Sequence, residues 1–327
     1  MKMTDPKAIF TIRQDAHFEA AALDIFRFQA EHCPPYREYI GYLGVDPNAV
    51  NTIRQIPFLP VELYKSHRIY SADHPEETIF TSSATTGQVP ARHYVADLSL
   101  YESSFTEGFR IFYGDPSQYA IFALLPSYLE RSGSSLVYMA DKLIKAGEGG
   151  GFFLHDHLAL LKSMGKAASG GKKLLLLGVR FALWELAENH RFEFPELTVM
   201  ETGGMKGRRE EITRQELHAI LCRSFGVERI HSEYGMVELL SQAYSDGQGI
   251  FRCPPWMSVV IRDTYDPLER LPAARAGGVN VIDLANIYSC SFLETQDLGI
   301  RHRDGSFRIL GRIDKSEIRG CNLMAGE

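Results

Sequence analysis

The chain has 327 residues, of which 45% are hydrophobic, and its formal net charge is −6. This composition is sufficient for a large buried core, and the length indicates two or three folding units, or one large α/β unit with an appendage. The acidic balance gives no support for a nucleic-acid partner or for binding to an anionic membrane surface.

The first predicted element is an amphipathic helix over about residues 14–31, where apolar side chains recur at helical spacing. The prolines of Cys33-Pro34-Pro35 are expected to end this helix. We interpret residues 1–75 as a helical lead-in without polar clusters.

Strand-like segments and helices alternate in the next part of the chain. Four predicted strands end in Gly or Pro: YAIFALLP, GKKLLLLGV, LTVMETGG and VERIHSEYG. The stretch RREEITRQELHAILCRSFG is one of the intervening helices, and Gly226 lies near its end. This alternation predicts a mostly parallel sheet covered on both faces, with ligands bound beyond the carboxyl ends of the strands.

After about Phe251 the chain changes character. Short strands separated by turn signals are predicted in MSVVIRD, GGVNVIDLAN, SCSFLETQDLG and FRILGRID. They indicate a smaller β-rich region.

The five cysteines lie at positions 33, 222, 253, 290 and 321 and include no Cys-x-x-Cys pair. An odd number of scattered cysteines argues against a disulfide framework, so we predict a cytoplasmic protein. The N-terminus has no apolar stretch of signal-peptide length, and no run of about 18 apolar residues predicts a membrane span.

The stretch TSSATTG, residues 81–87, follows an apolar pair. Clustered hydroxyls and backbone N–H groups in a glycine-containing turn can donate many hydrogen bonds to phosphate oxygens. The stretch is not a Walker A loop, and on composition alone a structural surface loop explains it as well.

The stretch HSEYGMVELL offers an aromatic side chain and a carboxylate. Tyr234, at a predicted strand end, can present its ring to a purine, and Glu238, one helical turn further on, can hold Mg²⁺ with phosphate oxygens. An ordinary turn is the alternative interpretation.

Two further clusters contain acidic residues near glycine. Asp297 is predicted in a turn, where its carboxylate can accept both ribose hydroxyls or can cap its own backbone. Arg312 and Asp314 are predicted in a turn near the end of the chain, where an exposed salt bridge is the simplest alternative.

The order of these clusters along the chain resembles that of the adenylate-forming superfamily, which includes acyl-CoA synthetases. Longer stretches are similar to the acyl-protein synthetase (LuxE-type) family, and this resemblance covers about residues 57–324. They are LLPSYLERSGSSLVYM, METGGMKGRREE, IHSEYGMVELLSQAY, FRCPPWM and GRIDKSEIRGCNLM.

The resemblance implies an α/β fold of the adenylate-forming type, with mostly parallel sheets flanked by helices, a small β-rich subdomain and a truncated C-terminal domain. The expected divisions are a lead-in over residues 1–75, a nucleotide- and acyl-binding core over 76–250, a β-rich subdomain over 251–312 and a tail over 313–327.

The reaction implied by the resemblance activates a carboxylic acid, expected to be a fatty acid, as acyl-adenylate. A cysteine of the same protein then takes the acyl group as a thioester for delivery to a partner, such as a reductase or an acyltransferase.

The resemblance also implies roles for individual residues, with ATP and Mg²⁺ as cofactors. The implied phosphate loop contains Ser82, Ser83, Thr85, Thr86 and Gly87, with Thr86 also assigned to catalysis. The other implied ATP-site residues are Gly203, Gly204, Tyr234 and Asp297. Glu238 is implied as catalytic residue and Mg²⁺ ligand, Arg312 as a catalytic arginine at the hinge, and Cys321 as acyl acceptor, with Cys253 and Cys290 as other candidates.

The sequence departs from the superfamily pattern at two positions of the implied site. Ala84 replaces a glycine of the phosphate loop, and Val237 replaces a threonine. Two other functions therefore remain open: a ligase that transfers the acyl group to an external thiol, either CoA or a carrier protein, and a catalytically degenerate nucleotide-binding subunit.

Overall fold

The structure is a computed structural model and describes residues 5–83, 89–125, 133–194, 196–203 and 212–313. The α-helices within these residues are α1 (Asp15–His32), α2 (Pro34–Tyr42), α3 (Leu98–Tyr113), α4 (Ser135–Ala146), α5 (His157–Ser169), α6 (Arg180–Asn189) and α7 (Arg214–Phe225). The strands are β1 (Leu59–Pro60), β2 (Thr78–Thr81), β3 (Arg92–Val95), β4 (Tyr119–Leu124), β5 (Gly151–Phe152), β6 (Lys173–Val179), β7 (Leu197–Thr202), β8 (His231–Tyr234), β9 (Ala243–Ser245), β10 (Met257–Arg262), β11 (Ala276–Asp283), β12 (Phe292–Arg301) and β13 (Phe307–Arg312).

The larger sheet has the order β5-β4-β6-β7-β8-β9, and its strands are parallel except for β9. Its middle strand β6 is buried along residues 174–179, a continuous apolar run typical of a parallel strand covered on both faces. Helices α4, α5 and α6 pack on this sheet. The four strands predicted here are confirmed, and so is helix α7, which ends where Gly226 takes a left-handed φ of 66°.

The second sheet has the order β1-β12-β11-β10, with β13 added along β12. Strands β10 to β13 pair antiparallel and correspond to the four short strands predicted after Phe251. Strand β1 comes from the N-terminal part of the chain and pairs parallel with β12, with Leu59 opposite Leu293. The division into four segments stays a prediction.

The N-terminal helix is anchored to the second sheet by a buried amide. Helix α1 confirms the predicted amphipathic helix, and Gln29 lies on its buried face. The Gln29 side chain donates to the carbonyls of Asn286 and Ile287 at 2.8 and 2.9 Å and accepts from the Ser291 N–H at 3.0 Å. Every polar atom of this amide therefore has a partner, as burial demands. Among the described residues, no helix is long and apolar enough to cross a membrane.

The expectation that Asp297 lies in a turn is wrong. Asp297 is inside β12 and pairs with Arg312 of β13. The glycine that suggested a turn, Gly299, instead marks a close approach between strands, next to a shift in register. A Cβ atom at Gly299 would lie 2.6 Å from the Arg308 carbonyl oxygen and 2.7 Å from Val279 Cγ2. Glycine is required here because the strands leave no room for a side chain.

We therefore predict that Gly299→Ala lowers the free energy of unfolding by about 2 kcal/mol, since the β12–β13 backbone must shift to admit the methyl group. Gly311→Ala is the matched control, because Gly311 lies on the paired strand and a Cβ there meets no atom within 4 Å. Urea denaturation measures both variants. Equal stability of the two variants would contradict the steric argument.

Candidate active site

A cavity of about 360 Å³ lies at the carboxyl ends of β7 and β8. The second sheet contributes Gln296 and Arg312 to its wall. The remaining lining comes from the 3₁₀ helix Val61–Lys65, the β2–β3 hairpin, helices α3 and α4 and the segment after β8. This is the edge at which ligands are expected in a parallel sheet.

The cavity collects several residues that were predicted from separate parts of the sequence. Those in its lining are Ser82, Ser83, Gly203, Glu238 and Arg312. Tyr234 and Asp297 are absent from that lining but adjoin it, because their chain neighbours Gly235 and Gln296 belong to it. The other predicted site residues, Thr85, Thr86, Gly87, Gly204 and Cys321, lie outside the described residues, as do Ala84 and Asp314.

The base of the β2–β3 loop is closed by Ser82. Its N–H donates to the Ala91 carbonyl at 3.0 Å, and its hydroxyl oxygen accepts from the Ala91 N–H at 2.9 Å. The Thr81 N–H donates to the Gly133 carbonyl at 2.7 Å. These bonds fix the point at which the hydroxyl-rich loop leaves the hairpin, beside the cavity.

Tyr234 and Asp297 join the two sheets. The Tyr234 hydroxyl donates to Asp297 Oδ2 at 2.8 Å, and Arg312 Nε lies 3.7 Å from Asp297 Oδ1. Burial raises the pKa of Asp297, although the Tyr234 hydrogen bond and the Arg312 charge favour the carboxylate. The Tyr234 ring meets the rings of Phe251 and Phe307 edge-on, at centroid distances of 5.9 and 5.6 Å. These contacts hold Asp297 in one orientation at the cavity wall.

The end of β7 is held by a buried charge network around Glu201, the residue before Thr202. Arg180 and His218 bond to its carboxylate, Ser232 donates to it at 2.8 Å, and Arg214 lies 3.3 Å away. Burial by itself would raise the pKa of Glu201, but the His218 and Arg180 hydrogen bonds and the arginine charges lower it to about 2. The carboxylate stays ionised and orients the strand end that carries Gly203.

The segment between β8 and β9 is held by a second buried carboxylate. Asp283 accepts from the Leu240 and Ser241 N–H groups at 2.8 and 2.9 Å and from the Ser241 hydroxyl at 2.5 Å. The Asn286 side chain donates to the Glu238 carbonyl at 2.7 Å. Glu238 therefore lies in a non-helical turn and not, as predicted, one helical turn beyond Tyr234. The N–H groups of Leu240 and Ser241 bond to Asp283, so they are not available for hydrogen bonds within a helix.

The Glu238 carboxyl group faces the cavity in a partly apolar setting. Burial raises its pKa to about 7, while the charges of Arg312 and Lys65 act in the opposite direction. Below this segment the buried His93 bonds through Nδ1 to the Val237 carbonyl at 2.7 Å, and burial lowers the His93 pKa to about 4. His93 is therefore neutral, and it positions the backbone beside Glu238.

Sequence reasoning missed Lys65. Its side chain is exposed, lines the cavity and has no ion pair or hydrogen bond with a described residue. Lys65 is the last residue of the 3₁₀ helix Val61–Lys65. This helix is held in place by a hydrogen bond of 2.7 Å between the buried Tyr64 hydroxyl and Ser289 Oγ. No local pattern marks a lone lysine in the N-terminal segment as part of a site whose other residues extend as far along the chain as Arg312.

Sequence reasoning also missed Glu233 and Gln242, which line the cavity on either side of Gly235 in the sequence. Glu233 stands next to Tyr234 inside the motif that drew attention to this region. The position of Glu233 within that motif is the sequence signal that could have identified it as a site residue.

The four described cysteines are free and poorly suited to act as nucleophiles. Burial raises the thiol pKa of each of them, to about 12 for Cys253 and well above the usual value for Cys290. The thiolate is the reactive form of cysteine. The two alternatives to Cys321 are thus held in their unreactive thiol form.

Solved structures show the class of fold. The chain aligns with 2-hydroxyisobutyryl-CoA ligase in complex with 2-HIB-AMP and CoA at a TM-score of 0.66 and 13% identity, covering 92% of this chain and 70% of that one. It aligns with ATP-bound MatB from Rhodopseudomonas palustris at a TM-score of 0.54 and 19% identity, covering 72% of this chain. The alignment spans about half of MatB, 47% of its length. The fold is that of the adenylate-forming enzymes, as predicted.

Sequence relatives identify the protein family within this class of fold. A family profile described as "Acyl-protein synthetase, LuxE" matches residues 3–100. The long-chain-fatty-acid–luciferin-component ligase of Vibrio harveyi is 25% identical over 326 residues, covering 91% of this chain and 84% of the relative. The protein of the same name from Photorhabdus luminescens is 35% identical over 91 residues, covering 27% of this chain and 78% of the relative. The chain belongs to the LuxE acyl-protein synthetase family, which confirms the resemblance of its motifs.

We predict that the native protein contains at most one fast-reacting thiol, since raised pKa values leave the four described cysteines mostly protonated at neutral pH. Titration with a thiol-specific disulfide reagent should show one rapid phase, which Cys321→Ser removes, and five thiols after denaturation. Two or more rapid thiols in the folded wild-type protein would contradict this prediction.

Proposed function

We propose that this protein uses ATP to activate a carboxylic acid as an acyl-adenylate and then transfers the acyl group to Cys321 as a thioester. The observation that carries the first step is the cavity beside the Tyr234–Asp297 pair, whose lining includes the hydroxyl side chains of Ser82 and Ser83, the Glu238 carboxyl group and the cationic side chains of Lys65 and Arg312. The names of the sequence relatives support a long-chain fatty acid as the substrate.

The nucleoside part of ATP is assigned to the wall between the sheets. Asp297, oriented by Tyr234, has carboxylate oxygens that can accept both ribose hydroxyls. Gly203 has a φ of +66° and no atom within 4 Å of a Cβ position, so a flat base can approach its backbone. Gly204 is assigned to the same adenine wall. The ATP-bound state of the structural neighbour MatB supports ATP as the nucleotide.

The phosphate groups are assigned to the hairpin loop and the cations that face it. Ser82 and Ser83 lie at the cavity edge, and Thr85, Thr86 and Gly87 complete the proposed loop. Lys65 and Arg312 add positive charge from two other directions. Hydroxyls and fixed cations suit a polyphosphate, whose charge would otherwise repel the carboxylate.

Mg²⁺ is proposed to bind with ATP at Glu238. The chemistry of this side chain fits the ion, because a partly buried carboxyl group with a pKa raised to about 7 gains from a divalent cation that favours its ionised form. When bound, Mg²⁺ would offset phosphate charge during the adenylation step.

In the proposed first step, a carboxylate oxygen attacks the α-phosphorus of ATP, and the bond to the β-phosphate oxygen breaks with release of pyrophosphate. Arg312 and Lys65 stabilise the negative charge that collects on the phosphates, and Thr86 is assigned as a further donor there. In the second step, the Cys321 thiol loses its proton to solvent, its sulfur bonds to the acyl carbon, and AMP leaves. A downstream protein, such as a reductase or an acyltransferase, is the proposed acceptor of the thioester.

The cytoplasm is the proposed compartment. The four described cysteines are unpaired, as expected where thiols are kept reduced.

The first step is tested by ATP–pyrophosphate exchange with a panel of short, long and aromatic carboxylic acids. We expect exchange with at least one class of acid, a decrease of about 100-fold in Glu238→Gln, and a decrease of about tenfold in Lys65→Met, because each variant removes charge from the proposed phosphate site.

Matched controls come from exposed helical residues outside the cavity. Glu185→Gln on α6 and Lys166→Met on α5 make the same chemical changes and should keep full exchange. Absence of exchange with every acid, in folded protein that binds ATP, would favour the degenerate nucleotide-binding subunit.

The second step is tested with a radiolabelled acid and ATP. We expect a protein-bound acyl group that hydroxylamine releases, and we expect Cys321→Ser to abolish it while exchange continues, since adenylation precedes transfer. Cys222→Ser is the matched control, because Cys222 is outside the cavity lining. Full turnover of Cys321→Ser with CoA or a carrier protein would instead identify a ligase for an external thiol.

A further inference from the structure

The cavity has a second region whose polar groups the proposed chemistry does not use. Tyr234 points toward Asp297 of the second sheet. Its neighbour on the same strand, Glu233, points to the opposite side, because successive side chains of a strand alternate. The cavity lining includes Glu233 together with Tyr101 of α3, Leu136 and Met139 of α4, Thr202 and Gln242.

The Glu233 carboxyl group lies close to the backbone of Gly235. A Cβ atom at Gly235 would lie 2.4 Å from Glu233 Oε1, so no other residue fits there without displacing the carboxyl group. The Thr202 hydroxyl donates to Oε2, and no described residue donates to Oε1 or forms an ion pair with Glu233. Glu233 is 8% exposed, and burial raises its pKa to about 7.

Gln242 brings a second acceptor to the same place. Its Cγ atom lies 3.5 Å from the Cβ position of Gly235, on the flank that Glu233 also approaches. Gln242 is 6% exposed, and its Oε1 atom is buried without a hydrogen-bond partner among the described residues. Burying an acceptor without a donor costs free energy, so native proteins rarely do so.

The hydroxyl groups of Tyr101 and Thr202 do not supply the missing donors. The Tyr101 hydroxyl donates to the Ser135 carbonyl at 2.9 Å, and the Thr202 hydroxyl is committed to Oε2 of Glu233. Glu233 and Gln242, both of which line the cavity, therefore each keep an acceptor oxygen that has no donor among the described residues, and the apolar side chains of Leu136 and Met139 line the same cavity. A bound molecule with methylene groups and a hydrogen-bond donor would match both features.

We propose that the carboxylic acid activated in this cavity carries a hydroxyl or amino group, which Glu233 and Gln242 bind. The inference rests on the proposed adenylation function and specifies its substrate class. An unsubstituted hydrocarbon chain would leave both acceptors without a donor, and sites built around such acceptors discriminate strongly against analogues that lack the donor group.

The test compares kcat/KM in pyrophosphate exchange for unsubstituted hexanoic and tetradecanoic acids with their hydroxy- and amino-substituted derivatives, the substituent being moved along the chain. We expect at least one substituted acid to exceed its parent by about tenfold or more. Glu233→Leu and Gln242→Leu should each remove that preference, so that the ratio of kcat/KM for the substituted acid to kcat/KM for its parent falls to about one.

The matched controls are Glu185→Leu on α6 and Gln215→Leu on α7, both exposed and outside the cavity, which should keep the wild-type preference. Because Glu233→Leu changes a buried residue and could fail to fold, Gln242→Leu provides the same test at a second position.

Calorimetric titration of the wild-type protein with the same acids separates the two proposals. Tighter binding of a substituted acid without exchange would support the polar subsite and overturn adenylation. Exchange in which no substituted acid surpasses its parent, or a preference unchanged in both leucine variants, would overturn the polar subsite and leave adenylation standing.

Discussion

The organisation of the site depends on one buried carboxylate, Asp283 at the end of β11. It is fully buried, and three of its hydrogen bonds come from Leu240 and Ser241 in the segment that follows β8. Burial raises the pKa of Asp283, and these donors act against that shift. Loss of the carboxylate would leave buried N–H groups without partners, a penalty of about 1–3 kcal/mol for each group. This interaction ties the smaller sheet to the segment that carries both Glu238 and Gln242.

The N-terminal segment adds a second constraint of the same kind. The Gln29 amide binds the chain between β11 and β12, and the Tyr36 hydroxyl donates to the Pro57 carbonyl at 2.6 Å. Together with the Tyr64–Ser289 contact, these bonds fix the 3₁₀ helix that brings Lys65 to the cavity. A segment that looks like a simple helical lead-in therefore supplies a cation to the proposed phosphate site.

Two residues of this LuxE-family chain, Val237 and Ala84, depart from the pattern of the adenylate-forming superfamily. Val237 lines the cavity, so an apolar side chain stands where the superfamily has a threonine hydroxyl. Its carbonyl is held by the neutral His93, and the backbone next to Glu238 is therefore fixed without that hydroxyl. In the proposed phosphate site, Lys65 and Arg312 would supply positive charge, which a threonine hydroxyl could not. The second departure, Ala84, lies outside the described residues.

The sequence by itself determined the strands, the long helices and the order of the motifs, because apolar periodicity and glycine or proline stops are local signals. It also located Tyr234 at a strand end and Glu238 just beyond it, where parallel sheets present ligands, but it placed Arg312 in a turn, whereas Arg312 is the last residue of the antiparallel strand β13. The tertiary structure decided that Asp297 lies within a strand, because only the pairing of β12 with β13 shows that Gly299 marks a close approach. It also decided the contributions of Lys65, Glu233 and Gln242, since burial and unmatched acceptors arise from contacts between distant segments that no local pattern records.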